Sequence, residues 1–487
     1  MAVEVILFFL EKMEMKDKSK EIIIDLVKKI FAIYNIKPDL DENDIDCKTE
    51  ESSKNKNKIK LSDKNIIELD VSIRANGEYK IFSLSKSILP PTKSSSYRLI
   101  NKNIEDINFI FFNCVRVLKQ LLNAYFTNNI SEIEINSCLN ESIEMSIIAI
   151  AAGKKIIPTK KNNLLPSNFD HVVRGISRML HALNQWSNRT YEGRKIPYSF
   201  LLALDKIKVR NIDTICSFLK DDASALLTDG ISSYIEIGEN ITYKVATYYD
   251  AELLGNNMPL VPYRFSSFGN ACSSKNLGVI LTVQGDILFV RKKKLIFAKR
   301  NNEWHSYDYD AFNEALFNDM PKMHIDENQN NSIIKMIYLT CLDVAFARTG
   351  GCLAVCVDDN KNIKELKKCI NPNDIHYEFN KKPREDHNHK REILENVVIN
   401  KTCFHNLRRK ARQELLGVDG ATVILTNGKF VTTGAIMDNK FKNELKDLHG
   451  GARTKIAMKL AEFGIAIKIS ADGYIECYKG IEHERVF

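Results

Sequence analysis

Three short polar motifs near the end of the chain combine residue types that can handle phosphate. They are Asp419-Gly420-Ala421, Gly450-Gly451-Ala452-Arg453-Thr454-Lys455 and Ser470-Ala471-Asp472-Gly473. A carboxylate such as Asp419 can hold a divalent metal ion or accept a proton from a hydroxyl group. Arginine binds phosphate oxygens through two parallel hydrogen bonds, and lysine supplies a compact positive charge. Together the three motifs predict a site that binds a nucleotide.

The glycine pair of the second motif precedes a helical pattern in which Ile456, Leu460 and Phe463 recur at spacings of 4 and 3. The first N–H groups of a helix lack intrahelical partners, and the helix dipole favours an anion there. Arg453 and Lys455 are unfavourable in such a first turn unless an anion is bound. The plain alternative is a Gly-Gly loop followed by a solvated basic turn.

The first motif leads into a predicted hairpin. Residues 421–425 form a short β-branched run, Asn427-Gly428 is a strong two-residue turn, and residues 429–435 return as a second strand. Asp419 is therefore expected at the mouth of a buried strand, where Gly420 would let a ligand approach the backbone closely. The alternative is an ordinary Asp-Gly turn before a strand.

The third motif follows another predicted strand. Ile465, Ile467 and Ile469 alternate with Ala466, Lys468 and Ser470, which predicts one buried face. Asp472-Gly473 then turns the chain into a strand from residue 474 to 478. A hairpin of this kind needs no function, so a purely structural turn is the alternative here.

Taken in this order, the three motifs resemble the diadenylate cyclase domain, which is the catalytic module of the DNA-integrity scanning protein and of membrane-bound cyclic di-AMP synthases. The apolar helix predicted at 333–348, the turn Thr349-Gly350-Gly351 and the strand at 352–357 are similar to the family's opening helix, glycine turn and first strand. The resemblance covers residues 332–480, about a third of the chain. It implies a C-terminal mixed sheet flanked by helices.

The resemblance also implies an activity, the condensation of two ATP molecules into cyclic di-AMP. Asp419 would activate a 3′-hydroxyl with Mg²⁺ or Mn²⁺, Arg453 and Lys455 would hold phosphates, and Ser470 and Asp472 would complete the phosphate and metal shell. It assigns catalysis to Asp419, Gly420, Ala421 and Arg453, and metal binding to Asp419 and Asp472. It assigns nucleotide binding to Gly450, Gly451, Ala452, Arg453, Thr454, Lys455, Ile436, Met437 and Ser470. The implied partner is a second copy of the chain in a face-to-face homodimer or a higher homo-oligomer.

This sequence departs from the family pattern at two places. The usual Arg-His-Arg triplet reads Arg453-Thr454-Lys455, and the segment that usually packs on adenine, Ala435-Ile436-Met437, carries no aromatic residue. Two alternatives therefore stay open. One is a nucleotide-binding regulator whose cyclase fold has lost catalysis, and the other is a cyclase that makes a different cyclic or linear nucleotide.

Composition bounds the rest. The chain of 487 residues is 44% hydrophobic, carries a net charge of +8 and has 11 cysteines without a Cys-x-x-Cys pair, which predicts a reducing, cytoplasmic setting. The positive charge is spread along the chain, so we expect no nucleic-acid partner. No stretch reaches eighteen apolar residues, so we expect no membrane span.

We expect a multi-domain α/β (α+β) protein with an N-terminal α+β sensor ahead of the cyclase. The four strands predicted between residues 278 and 307 form a β-meander, and this region resembles the sensor domain found ahead of some bacterial diadenylate cyclases; the sequence names no ligand for it. Thr190, Glu192 and Arg194 are expected in a surface turn. The predicted units are a helical segment at 1–38, a polar linker at 39–64, a small α+β unit at 65–160, the sensor at 161–319, a linker at 320–331 and the cyclase at 332–487.

Overall fold

The computed structural model describes residues 131–153, 169–226, 228–247, 257–319, 327–371, 374–375, 403–438, 451–480 and 484–485, with shorter pieces between residues 22 and 117. It is a mixed α/β protein in which two large mixed sheets are flanked by helices. Among the described residues, no helix is both long enough and apolar enough to cross a membrane.

A small sheet of four strands lies near the start of the chain. Its strands are β1 (Lys48–Thr49), β2 (Asn57–Ser62), β3 (Asn65–Ile73) and β4 (Tyr79–Lys86). β3 pairs with β1 in parallel and with β2 and β4 in antiparallel fashion. The prediction of a polar linker over 39–64 was therefore wrong for β1 and β2. In β2, Ile59 and Leu61 alternate with lysines, a strand pattern that an average over the polar segment conceals.

A seven-stranded sheet follows, in the order β11-β10-β9-β8-β5-β6-β7. Its strands are β5 (Tyr198–Ala203), β6 (Ser233–Ile237), β7 (Ile241–Val245), β8 (Asn276–Leu281), β9 (Ile287–Arg291), β10 (Lys294–Arg300) and β11 (Glu303–Ser306). β8 to β11 form the meander that the sequence predicted, with each strand antiparallel to the next. β5 is parallel to β6 and antiparallel to β8, which makes the sheet mixed.

Helices cover one face of this sheet. They are α1 (Glu132–Ala151), α2 (Phe169–Asn188) and α3 (Val209–Phe218). α1 begins with a capping box, in which Ser131 accepts the N–H of Glu134 and the Glu134 carboxylate accepts the N–H of Ser131. The sequence 190–194 forms an exposed turn after α2, as predicted, with Tyr191 and Arg194 exchanging backbone hydrogen bonds.

The second large sheet has six strands in the order β14-β13-β12-β15-β16-β17. They are β12 (Gly351–Cys356), β13 (Ala421–Leu425), β14 (Phe430–Ala435), β15 (Gly464–Ile469), β16 (Ile475–Lys479) and β17 (Glu484–Arg485). The hairpin of β13 and β14 and that of β15 and β16 lie where the sequence predicted them. β12 is parallel to β13 and antiparallel to β15.

Helices cover both faces of the six-stranded sheet. The remaining helices are α4 (Ser266–Ala271), α5 (Tyr309–Asp319), α6 (Glu327–Phe346), α7 (Asn360–Cys369), α8 (Arg409–Gly417) and α9 (Ala452–Ala461). α7 and α9 pack on one face, and α6 and α8 pack on the other. β15 is therefore buried on both sides, with Ala466 under α9 and Ile467 facing α6. The prediction of a single buried face for β15 was wrong, because alternation reports residue polarity and not what covers the sheet.

One hydrophobic cluster joins the two large sheets. It contains Leu288 of the seven-stranded sheet, Tyr338 of α6 and Ile467 of the six-stranded sheet. α6 begins at Glu327, inside the segment 320–331 that composition predicted as a linker. The predicted boundary therefore marks no break in the core.

Candidate functional site

The three sequence motifs meet at one edge of the six-stranded sheet. Leu353 pairs with Thr422 and Gly351 pairs with Ile469, so the same register carried outward places Gly350 between Asp419 and Ser470. Neighbouring strands lie about 4.8 Å apart, so the backbones of these three residues share a short stretch of the sheet edge. We call this stretch, with the start of α9 above it, the motif edge.

The start of α9 is open at the motif edge. Gly451 is its N-cap residue and supplies no side-chain cap, and no acidic residue lies in its first turn. Around Gly451, a Cβ atom would find no neighbour within 4 Å among the described residues. The first N–H groups of a helix lack intrahelical partners, so those of α9 can bind an anion. Ala452 is exposed, Thr454 and Lys455 are half-buried in the same turn, and Gly450 lies outside the described residues.

Arg453 links this helix to the glycine turn before β12. Its Nη1 atom lies 2.5 Å from the position that a Cβ on Gly350 would occupy, and Gly350 has a φ of +66°. Burial raises the pKa of the Cys352 thiol to about 12, and the positive charge of Arg453 opposes that increase. Arg453 makes no hydrogen bond or ion pair with any described residue. Its guanidinium donors thus remain available to a ligand.

Packing within the sheet explains why residue 420 is a glycine. Its φ is +97°, and a Cβ there would lie 2.6 Å from the carbonyl oxygen of Ala435 on the neighbouring strand. A bulge at Gly434, where the pairing of β13 with β14 shifts, produces this close approach. The prediction that Gly420 makes room for a ligand was therefore wrong, since strand β14 occupies that position.

Asp419 is exposed at the motif edge, and its carboxylate accepts the N–H of Gly420 at 3.1 Å. Two apolar side chains beside it are also exposed, Val418 at 45% and Ile436 at 57%. Val418 was missed from the sequence, although an apolar residue directly before the Asp-Gly pair was a usable sign. Together they offer an apolar surface next to a carboxylate, which suits a flat base.

Two residues predicted for the site lie in the core instead. Ala421 is fully buried, and Met437 is 4% exposed in the cluster beneath α7 and α9. Neither side chain is exposed to a ligand, so the assignment of Ala421 and Met437 to the site stays a prediction that could be met only through their backbones. A small residue at 421 is explained by packing against Val423 and Ala435.

The turn between β15 and β16 is held by the seven-stranded sheet. The Tyr307 hydroxyl donates to the carbonyl of Gly473 at 3.1 Å, and Arg300 Nη2 donates to that of Ala471 at 3.4 Å. The Tyr474 hydroxyl donates to Glu303 at 3.0 Å, and its ring contacts that of His305 edge-on.

Within that turn, the Ser470 hydroxyl donates to the carboxylate of Asp472 at 3.3 Å. Asp472 is exposed and close enough to His305 for its charge to act on the imidazole pKa. Ser470 lies two strands from Asp419, with Gly350 between them. A metal ion shared by Asp419 and Asp472 stays a prediction.

Among the described residues, no three His, Cys, Asp or Glu side chains come together as a metal site. Mg²⁺ is commonly held by only one or two protein carboxylates, with phosphate oxygens and water supplying its other ligands. The exposed carboxylate of Asp419 beside an open helix start fits that type of site.

Sequence reasoning also missed a buried ionic cluster below the motif edge. Asp286 and Arg300 are each 1% exposed, and their Oδ2 and Nε atoms lie 3.3 Å apart. Arg348 Nη2 donates to Asp286 Oδ1 at 2.7 Å. The sequence showed Asp286 only as part of a hairpin turn, since its partners lie far along the chain.

A second buried ionic cluster lies between α6 and α8. Asp343 accepts two hydrogen bonds from Arg409, at 2.5 and 2.9 Å, and a third from the N–H of Tyr263 at 2.7 Å. Arg412 donates to Thr340 at 3.1 Å. Both arginines lie in the basic segment 381–412, of which 381–402 is outside the described residues. A solvated helix face is the ordinary expectation for such a segment, but Arg409 and Arg412 are both buried.

The described residues also form a half-open cleft of about 680 Å³ beside the seven-stranded sheet. α1 contributes Glu141 and Glu144 to it, α2 contributes Arg178 and His181, and the floor includes Trp304. Tyr474 also lines the cleft, so it borders the turn that carries Ser470 and Asp472.

Comparison of the chain with protein-family models, with curated proteins and with solved structures finds no match.

Proposed function

We propose that this protein is a nucleotidyltransferase of the diadenylate cyclase type, which condenses two ATP molecules into cyclic di-AMP. The observation that carries the proposal is the motif edge, where Asp419 and the start of α9 with Arg453 lie on adjoining elements. The three motifs are separated by up to 50 residues of sequence, so nothing in the sequence forces them to lie close together. A shared site requires that they do.

The proposed reaction is an in-line attack of a 3′-hydroxyl on the α-phosphate of the other ATP, with pyrophosphate leaving. Such chemistry depends on positioning and on neutralising charge. The open N–H groups of α9 and the guanidinium of Arg453 would hold phosphate oxygens, with Lys455 adding charge. Asp419 would hold Mg²⁺ or Mn²⁺, which neutralises phosphate charge, and would orient the hydroxyl. Val418 and Ile436 would flank the base.

The proposed catalytic state is a face-to-face homodimer. A cyclic dinucleotide needs two phosphodiester bonds, and residues 332–480 contain one Asp419–Arg453 pair. Two copies related by a two-fold axis would present two ATP molecules head to tail. The exposed position of Asp419 at the sheet edge is compatible with a facing second copy.

We further propose that the N-terminal part controls this reaction by sensing a ligand. The cleft could hold a small molecule between Glu141 and Glu144 of α1 and Arg178 and His181 of α2. Tyr474 borders both the cleft and the turn at 470–473, so a ligand bound in the cleft would act on the turn through Tyr474.

The test is mass spectrometry of purified protein incubated with each nucleoside triphosphate and Mn²⁺. We expect cyclic di-AMP from ATP, at a specific activity that rises with protein concentration until dimers saturate. Asp419→Asn should lower the rate about 100-fold or more while the melting temperature stays the same. Its carboxylate is exposed, and among the described residues it accepts a hydrogen bond from the adjacent Gly420 N–H, which the amide oxygen of asparagine can also accept. Mixing this variant with wild type should reduce activity beyond simple dilution.

Other outcomes would refute this proposal. If Asp419→Asn forms product at the wild-type rate, the assignment of the catalytic site is wrong. If the protein stays monomeric and its specific activity does not change with protein concentration, the proposed dimer is wrong. ATP binding without any product would favour the second candidate, a nucleotide sensor. That candidate is supported by Thr454, which stands where the family has histidine.

A further inference from the structure

The buried Asp286–Arg300–Arg348 cluster touches both loops that border the motif edge. Arg348 directly precedes Thr349-Gly350, the turn on which the guanidinium of Arg453 lies. Its own φ is +57°, a left-handed conformation that a side chain like arginine rarely adopts. The hydrogen bond from Arg348 to Asp286 therefore holds a strained residue at the entrance of the glycine turn.

Arg300 reaches the other loop. Its Nη2 atom donates to the carbonyl of Ala345 at 3.0 Å and to that of Ala471 at 3.4 Å. Gly473 lies so close to Arg300 that a Cβ there would overlap the guanidinium. Arg300 thus fixes the end of α6 and the turn after β15 at the same time.

Asp286 connects the two arginines and belongs to the seven-stranded sheet. It follows the β8–β9 turn, where its N–H donates to the Thr282 hydroxyl at 3.0 Å. Any shift of that turn moves the partner of both Arg300 and Arg348. The cluster is therefore a direct physical connection from the N-terminal part to two loops of the site.

The cluster is also incompletely bonded. Four of the seven buried side-chain polar atoms without a hydrogen-bond partner in the described part of the chain belong to it: Asp286 Oδ2, Arg300 Nε, Arg300 Nη1 and Arg348 Nε. Asp286 Oδ2 and Arg300 Nε form an ion pair at 3.3 Å without hydrogen-bond geometry. Among the described residues, the cluster therefore makes fewer hydrogen bonds than its donors and acceptors allow.

We infer that Asp286, Arg300 and Arg348 form a positioning cluster through which the seven-stranded sheet sets the geometry of the two loops beside Arg453, and so regulates nucleotide binding there. The regulatory part rests on the proposed function. The mechanical part, the coupling of the β8–β9 turn to residues 349–351 and 470–474, does not. None of the three residues is assigned contact with the nucleotide, so they act through the loops.

The test measures loop dynamics and nucleotide affinity in the same variants. Arg348→Gln removes the charge of the half-exposed member, and Arg348→Lys keeps it. We expect amide exchange in 470–474 to rise about tenfold in Arg348→Gln while strand β8 (276–281) stays unchanged. The ATP dissociation constant should rise about tenfold, with Arg348→Lys in between. Lys294→Gln is the matched control, because it breaks the exposed pair with Asp310 at the opposite end of β10 from Arg300, outside the cleft.

Arg300→Lys tests the second arm, and should raise exchange in 470–474 more than in 349–351. If that buried variant does not fold by circular dichroism, Arg348→Gln decides alone. Unchanged exchange in 470–474 in folded Arg348→Gln would overturn the inference. Raised exchange with unchanged ATP affinity would overturn its regulatory part. If wild type binds no ATP, the proposed function and the regulatory part fail, while exchange still decides the mechanical part.

Discussion

Two buried ionic clusters connect the seven-stranded sheet region to the elements of the six-stranded sheet, and they differ in how completely they are bonded. At Asp343, the carboxylate accepts three hydrogen bonds and Arg409 also donates to the carbonyl of Val261 at 2.5 Å. In the Asp286–Arg300–Arg348 cluster, four buried polar atoms have no hydrogen-bond partner among the described residues. The complete cluster lies between helices, and the incomplete one lies under the motif edge.

The difference separates a structural role from an adjustable one. A buried charge pair stabilises a fold only when its geometry satisfies most of its polar atoms, since desolvation is costly. Asp343 and Arg409 meet that condition, so we expect them to keep a single arrangement. The Asp286 cluster does not meet it and borders two loops of the candidate site, where alternative arrangements have a use.

The largest expected effect is on the complete cluster. Asp343→Ala leaves the Arg409 guanidinium, which is fully buried, without its carboxylate. We expect the free energy of unfolding to fall by about 3–5 kcal/mol, measured by urea denaturation. Asp286→Ala should cost less, roughly 1–3 kcal/mol, because the side chain of Arg348 is 35% exposed and can turn to water. Arg300 is as buried as Arg409, but it makes no hydrogen bond to Asp286 and keeps its hydrogen bonds to the carbonyls of Ala345 and Ala471. Equal losses at the two positions would remove the distinction between the clusters.

A smaller effect is expected on the motif edge itself. Arg453→Ala should weaken ATP binding about 10- to 150-fold, equivalent to roughly 1.5–3 kcal/mol for charge-assisted hydrogen bonds, measured by calorimetry. The melting temperature should hardly change, since Arg453 makes no hydrogen bond or ion pair with any described residue.

Lys459→Ala is the matched control for that variant, because it removes a positive charge from the last turn of the same helix. It should leave ATP affinity within a factor of two or so of wild type, given a phosphate site at the opposite end of the helix. Equal affinities of Arg453→Ala and wild type for ATP would mean that the nucleotide binds elsewhere.

Sequence patterns were sufficient for the local elements and for the chain positions of the three motifs. The meander, the hairpin after Asp419 and the helix after Gly451 all follow from turn residues and apolar spacing. Predicting that these motifs meet would require the order of the strands in the sheet, and local sequence patterns do not contain that order. It depends on β12, which lies between β13 and β15 although it precedes both by more than 60 residues.

The inward-facing charges could not have been predicted in the same way. Arg409 and Arg412 would be expected at the surface, because a charged residue normally lies there. Their burial depends on acceptors 66 and 72 residues away, on Asp343 and Thr340. Asp286 is similar, since Arg348 is separated from it by 62 residues. A single sequence shows the type of each residue and does not show these partners.

The smallest expected effect is a pH dependence at the incomplete cluster. His305 is 6% exposed, between Arg300, Asp472 and the ring of Tyr474. Burial lowers its pKa from 6.5 to about 4, the charge of Arg300 acts in the same direction, and Asp472 opposes them. Between these values the unfolded chain binds a proton that the folded chain does not. The contribution of His305 to stability is therefore lost as pH falls from about 6.5 to 4, and is constant above 6.5.

We expect His305→Gln to reduce the loss of unfolding free energy between pH 6.5 and 4.5 by roughly 1–2.5 kcal/mol relative to wild type, from urea curves at each pH. His405→Gln is the matched control, because burial also lowers the pKa of His405, beside Arg412 in the other cluster. Each variant should make the free energy of unfolding less dependent on pH. Acid should still raise amide exchange in the 470–474 turn of His405→Gln, and should no longer do so in His305→Gln. The same exchange response in His305→Gln and wild type at pH 5 would show that the turn is held independently of His305. The acid sensitivity would then belong to the core as a whole and not to the contact of His305 with this turn.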